Sequence, residues 1–220
     1  MADPTTLCSV TQMNRIDARS WAGLVLLACA AFVYNTSESF PVGLLPQMAV
    51  DLGVTESRIG SLLTLYAAAV AVTVFPLVIL ASGIARRRLV LVTVGVLVAS
   101  NIAMALAPDF GWVLGSRLVS ATTHGIFWSV VAPTAASLVP RGREGFAISV
   151  AFMGSSLAMV AGTPLMTALG HAWSWRTAIA VLAGVAALAV LTRDVVDIAR
   201  DLRVEWELSR NLLDQRRSLV

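Results

Sequence analysis

Six apolar runs, each near twenty residues, follow one another along this chain with short polar breaks between them, at 21–45, 59–80, 89–107, 111–139, 146–169 and 173–192. A helix rises about 1.5 Å per residue, so each run is long enough to cross the ~30 Å hydrocarbon core of a bilayer. In lipid every span must satisfy its own backbone hydrogen bonds. The runs therefore predict an all-α membrane protein with six transmembrane helices, boundaries at residues 21 and 192, a segment 1–20 before them and a charged tail 193–220 after them. Composition agrees. Hydrophobic residues make up 57% and charged residues 13% of the chain, and the mean hydropathy is +0.80, whereas a soluble domain carries about 25% charge.

The breaks between runs hold Pro46 with Asp51 and Gly53, the run Arg86, Arg87, Arg88, Pro108 with Asp109, and Pro140 with Gly142. Such breakers between apolar runs mark short connections. Arginines set the orientation, because loops on the cytoplasmic side accumulate Lys and Arg. Arg15, Arg19, Arg86, Arg87, Arg88, Arg141, Arg143 and six more beyond the last span fall on one side, against Arg58 and Arg176 on the other. Both termini are thus expected in the cytoplasm of a multi-pass cell-membrane protein. Trp112, Trp173 and Trp175 are expected at the outer interface, where amphipathic rings are favoured. The first run is too long for a cleaved leader and is expected to remain as the first helix. The tail carries apolar residues at near-helical spacing and is expected to form a solvated cytoplasmic helix.

Several function classes are excluded at this level. The net charge of +3 is too small and too scattered for nucleic-acid binding. Cys8 and Cys29 make neither a disulfide framework nor a metal site. No nucleophile elbow, phosphate loop or ligand-spaced Cys pair is present, so an enzyme is not expected, and neither is a cofactor or metal.

Charged groups inside spans are costly and need a reason. Glu38 in the first run and Arg117 in the fourth lie at matched depth from the same side, so the sequence predicts that they meet. A carboxylate facing an arginine in low dielectric is held between ionised and neutral forms, which is what a proton-coupling site requires. A fixed buried ion pair between the two helices is the bland alternative. His124 is two turns past Arg117, Trp128 continues that face, and Tyr34 and Asn35 precede Glu38 by about one turn. Together these predict a mid-membrane cavity with polar groups and aromatic rings, suited to sugars or flat drug-like molecules. Gly154, Ala158 and Gly162 recur every fourth residue and precede Pro164; small residues at that spacing admit a close helix neighbour, and the proline predicts a kink or hinge.

The segment Asn35-Thr36-Ser37-Glu38-Ser39-Phe40-Pro41-Val42-Gly43-Leu44-Leu45-Pro46, the turn Arg86-Arg87-Arg88-Leu89, and Arg117 followed by His124-Gly125-Ile126-Phe127-Trp128-Ser129 resemble bacterial sugar efflux transporters and related drug exporters of the major facilitator superfamily. Residues 154–165, with Leu157-Ala158-Met159-Val160 before Gly162-Thr163-Pro164, resemble the family's antiporter motif. The resemblance runs from about residue 20 to 192 and implies the N-terminal half of the fold, a 3+3 helix repeat working by alternating access. It implies proton antiport of a sugar or small drug, with Glu38 and Arg117 as the coupling residues and Arg86, Arg87 and Arg88 as gating elements. Ser82 and Gly83 depart from the family's acidic and basic loop positions, and Ser174 from its glycine. Such transporters place substrate between two six-helix halves. With the second half absent from this sequence, the expected partners besides lipid, substrate and protons are a second copy of the chain or a separate C-terminal half. A non-transporting remnant, or a membrane partner of another transporter, is the alternative.

Overall fold

The computed structural model describes residues 16–188 and Leu191. Cys8, the end of the sixth run and the tail 193–220 lie outside the described residues. Among the described residues six helical rods make up the regular structure: α1 Ala18–Asp51, α2 Glu56–Ala81, α3 Arg86–Ala105, α4 Phe110–Ser137, α5 Glu144–Ala172 and α6 Trp175–Leu188. Among the described residues there is no strand. By length and hydropathy α1, α2, α3 and α5 could each cross a membrane. The 28-residue α4 carries Arg117 and His124, whose polarity lowers its hydropathy without shortening it.

Most rods start before their apolar run does, because the polar and charged residues ahead of the run are already helical. The Thr55 hydroxyl accepts from the Arg58 amide at 3.3 Å, and the Asp109 carboxylate accepts from the Trp112 amide at 2.9 Å. Both satisfy donors that a helix start leaves free. Arg86, Arg87 and Arg88 form the exposed first turn of α3 rather than a loop.

Prolines shape α1 and α5. A proline inside a helix has no N–H and its ring presses on the carbonyl four residues back. In α1, Pro41 stands four residues after Ser37, and the α-helix gives way to a 3-10 turn over Phe40–Leu44 before resuming as Leu45–Asp51. Pro46 falls in the first turn of the resumed segment, a position that tolerates a missing N–H. The rod therefore continues to Asp51, where the sequence reading stopped it at residue 45. In α5, Pro164 withdraws the amide that would meet the carbonyl of Val160, and the chain widens into a π turn, Ala158–Gly162, with the Thr163 amide reaching back to the Ala158 carbonyl.

α4 packs against α2 and α3, and α1 packs along α5 in the way α4 packs along α2, the relation a 3+3 repeat requires. Two glycines permit these approaches: a Cβ on Gly125 would overlap Val74 of α2, and one on Gly154 would overlap the Ala28 backbone carbonyl of α1. Outward positions are apolar, with Val72, Phe75 and Leu80 of α2 and Met159 and Val160 of α5 strongly exposed, as expected where lipid is the solvent. Trp175 corrects the aromatic-belt expectation. It is 1% exposed, and its indole N–H donates to the Asp51 carboxylate at 2.9 Å. Arg176 pairs with the same carboxylate and donates to the Ala107 carbonyl at 2.8 Å, tying α6 to the end of α1 and to the α3–α4 loop. Trp112 and Trp173 are exposed.

Candidate functional site

Arg117 reaches α1, but not at the group the sequence reading chose. Its two terminal guanidinium nitrogens donate to the backbone carbonyls of Ser37 and Glu38, each at 2.9 Å. No carboxylate is paired with it among the described residues. The reason lies in Pro41: a helix that lacks the amide at 41 leaves the Ser37 carbonyl without its i+4 donor, and an unpaired carbonyl in a dry interior costs about 1–3 kcal/mol. Arg117 supplies the donor, and its second arm takes the next carbonyl. The guanidinium also lies 4.8 Å from the centre of the Tyr66 ring, a desolvated cation–π contact. At 2% exposure Arg117 is buried, and its Nε has no hydrogen-bond partner.

The Glu38 carboxylate is left more open. Its side chain is 39% exposed, and its Oε2 stands 4.0 Å from His124 Nδ1. That same Nδ1 lies 3.0 Å from the Tyr66 hydroxyl. Glu38 of α1, His124 and Arg117 of α4 and Tyr66 of α2 thus form one polar cluster across three helices. Trp128 extends it, half-buried, with its ring centre 6.1 Å from that of His124 and 5.5 Å from that of Phe152 on α5. This edge of the cluster offers a carboxylate, an imidazole and an aromatic face together.

Tyr34 meets this cluster through its ring alone, whose centre lies 6.1 Å from that of His124 in an edge-on contact, and Asn35 does not join it. Tyr34 is 1% exposed. It donates to the Thr93 carbonyl at 2.8 Å, lies 3.1 Å from the Thr123 hydroxyl and stacks on Phe127 at 4.2 Å, so it binds α1 to α3 and α4. Asn35 donates to the Ser155 carbonyl of α5 at 3.0 Å. Farther along the same seam Ser39 and Thr163 hydroxyls meet at 2.9 Å, and Gln47 donates to the Gly170 carbonyl at 2.9 Å. Gly154, Ala158 and Gly162 are buried in this α1–α5 seam, whereas Pro164 faces outward. The bundle itself thus covers both Tyr34 and Arg117.

Tyr66, 3% exposed, escaped the sequence reading. Its signal in the sequence is weak: one of the chain's two tyrosines, inside an otherwise apolar span. Asn101 was missed as well; its side-chain oxygen accepts from the Ser37 hydroxyl at 2.9 Å.

The family model described as Major Facilitator Superfamily matches residues 27–203. The chain belongs to that superfamily. Two Mycobacterium tuberculosis proteins, from strains CDC 1551 / Oshkosh and ATCC 25618 / H37Rv, are 42% identical to it over 168 residues, and both are named chloramphenicol efflux pumps. The aligned region is 76% of this chain and 41% of each relative. The chain thus spans about two fifths of the length of these superfamily members. Among solved structures, two of a mutant peptide transporter POT, one of them in complex with sulfate, superpose with a TM-score of 0.68 over 77% of this chain and 36% of theirs, at 18% and 17% identity. At that identity the match speaks for the superfamily fold alone.

Proposed function

We propose that this chain is the N-terminal six-helix half of a proton-coupled exporter for small drug-like molecules of the chloramphenicol kind, with Glu38 as the group that takes up and releases the proton. The observation that carries this reading is the position of the Glu38 carboxylate, half open, 4.0 Å from an imidazole and seated on a backbone turn that Arg117 grips. A carboxylate in a membrane interior is costly when ionised, so it discharges when its surroundings close and recharges when water reaches it. Arg117 holds the turn in place through both states. Trp128 and His124 offer a flat, partly polar wall beside it, fitting an aromatic solute better than a sugar, and the names of the relatives favour the same choice. Alternating access needs a second half across the site, supplied by a second copy of the chain, by a separate C-terminal half or by a continuation of the protein. The arginine distribution supports a cell-membrane location with both termini cytoplasmic. One other reading is a membrane partner of another transporter, without transport of its own.

The test is chloramphenicol flux into proteoliposomes holding the chain, alone and with a C-terminal half, under an imposed pH gradient. Glu38→Gln is expected to lose gradient-driven flux and to keep substrate counterflow. Full gradient-driven flux in that variant removes Glu38 from the proton path, and the absence of any flux in every assembly moves the chain to the partner reading.

A further inference from the structure

The cluster contains one atom with two suitors. His124 Nδ1 faces the Tyr66 hydroxyl at 3.0 Å and Glu38 Oε2 at 4.0 Å. A neutral imidazole nitrogen that accepts a hydrogen bond has its lone pair occupied, and the same nitrogen once protonated can only donate. Tyr66 is also where α2 is held. Of the 26 residues of that helix only Ile59, Leu62, Tyr66 and Ala81 are buried, and Tyr66 alone among them brings a polar group, with its ring under Arg117 and its hydroxyl on His124.

We infer that Tyr66 is a positioning residue that competes with Glu38 for His124 Nδ1, so that the location of the proton decides how α2 is tied to α4. This rests on the reading of Glu38 as the proton-carrying group. In one state the Tyr66 O–H donates to Nδ1, the imidazole proton is on Nε2, and Glu38 is ionised and unbonded. When a proton arrives on Nδ1, the Tyr66 hydroxyl loses its acceptor and must turn. The new N–H donates to the Glu38 carboxylate, or passes its proton there to leave a neutral acid and a neutral imidazole with Nδ1 free again. The proton moves from nitrogen to oxygen and no other bond changes. The remaining ionisable groups around the cluster are few. α1 contributes Tyr34, already bonded to Thr93 and Thr123, and α4 contributes Arg117. The ionisable residues of α3 and α5, Arg86, Arg87, Arg88, Glu144 and His171, stand in end turns of their rods. A hydroxyl that gates one nitrogen thus makes α2, the helix with the least buried surface to hold it, the element that responds to the proton.

Two measurements test it. The first uses nitrogen NMR of histidine-labelled protein in lipid. The chain has two histidines, so a His171→Gln background leaves the His124 signals alone. The neutral ring is expected to carry its proton on Nε2, and Tyr66→Phe, which keeps the ring under Arg117, is expected to release that preference to a mixture; a wild-type ring protonated on Nδ1 overturns the inference. The second compares flux across pH in the proteoliposomes described above. Tyr66→Phe is expected to displace the pH midpoint of gradient-driven flux by about one unit, a tenfold change of the size one hydrogen bond commands, with KM for chloramphenicol unchanged. An unmoved profile in Tyr66→Phe beside a Glu38→Gln variant that has lost gradient-driven flux rejects the role of Tyr66 and keeps that of Glu38. An unmoved Glu38→Gln variant rejects the underlying reading, whatever the NMR shows.

Discussion

Gly154→Ala is a one-carbon change whose cost follows from where α1 and α5 touch. The added Cβ would overlap the carbonyl oxygen, carbonyl carbon and Cα of Ala28, all of them backbone, so no side chain can turn away and the two helices must part. The Asn35 bond to the Ser155 carbonyl, now 3.0 Å, ends on the residue next to Gly154 and would stretch beyond hydrogen-bonding range. Overpacking costs about 1–3 kcal/mol, a lost hydrogen bond about 0.5–1.5 kcal/mol, and the better helix propensity of alanine returns about 1 kcal/mol. A net loss of about 2 kcal/mol is expected from these contributions. Gly95→Ala is the control, because nothing lies within 4 Å of a Cβ there, and it should match or exceed wild-type stability. The assay is reversible unfolding in mixed micelles titrated with SDS, followed by tryptophan fluorescence. Equal midpoints for Gly154→Ala, Gly95→Ala and the wild type would show that the seam is not close-packed at Ala28 and would refute the reasoning.

Arg117→Ala should destabilise the same preparation by about 1–3 kcal/mol for each carbonyl it strands, and Pro41→Ala should recover part of that loss in the double variant, because the new amide at 41 can serve the Ser37 carbonyl; strictly additive effects of the two changes would reject the capping role. For orientation, reporter fusions after Arg88 are expected to read cytoplasmic and fusions after Asp51 external, with the opposite pattern reversing the proposed topology.

The polar site was half legible in the sequence. Glu38 and Arg117 drew attention because ionisable groups in apolar runs are rare, and that criterion led to the right pair of helices. It could not tell that Arg117 would bind the backbone beside Glu38 instead of its carboxylate, although Pro41, which creates the need, was in plain view. Tyr34 and Asn35 lie on the helix that carries Glu38, yet their neighbours in sequence do not share their surroundings: Tyr34 points to α3 and α4, Asn35 to α5. Tyr66 gave too weak a signal, because one tyrosine in an apolar run is compatible with any packing role. Trp175 misled for a related reason. Interface belts and buried indoles have the same composition, and only the Asp51 carboxylate next to it separates them.

What the sequence determined by itself is everything that depends on the solvent and on chain-local geometry: that the chain is helical, that it runs through six rods joined by short connections, and that the fifth rod departs from a regular helix near Pro164. These follow from the cost of unpaired backbone groups in lipid and from the missing proline amide, neither of which needs knowledge of a neighbour. Which rods touch, and which atom each polar side chain meets, was decided only in the tertiary structure. A helix face is about 100° wide and sees several possible partners. A contact such as Tyr66 on His124 depends on how closely α2 and α4 approach, which Gly125 against Val74 permits, and no one-dimensional pattern encodes that distance.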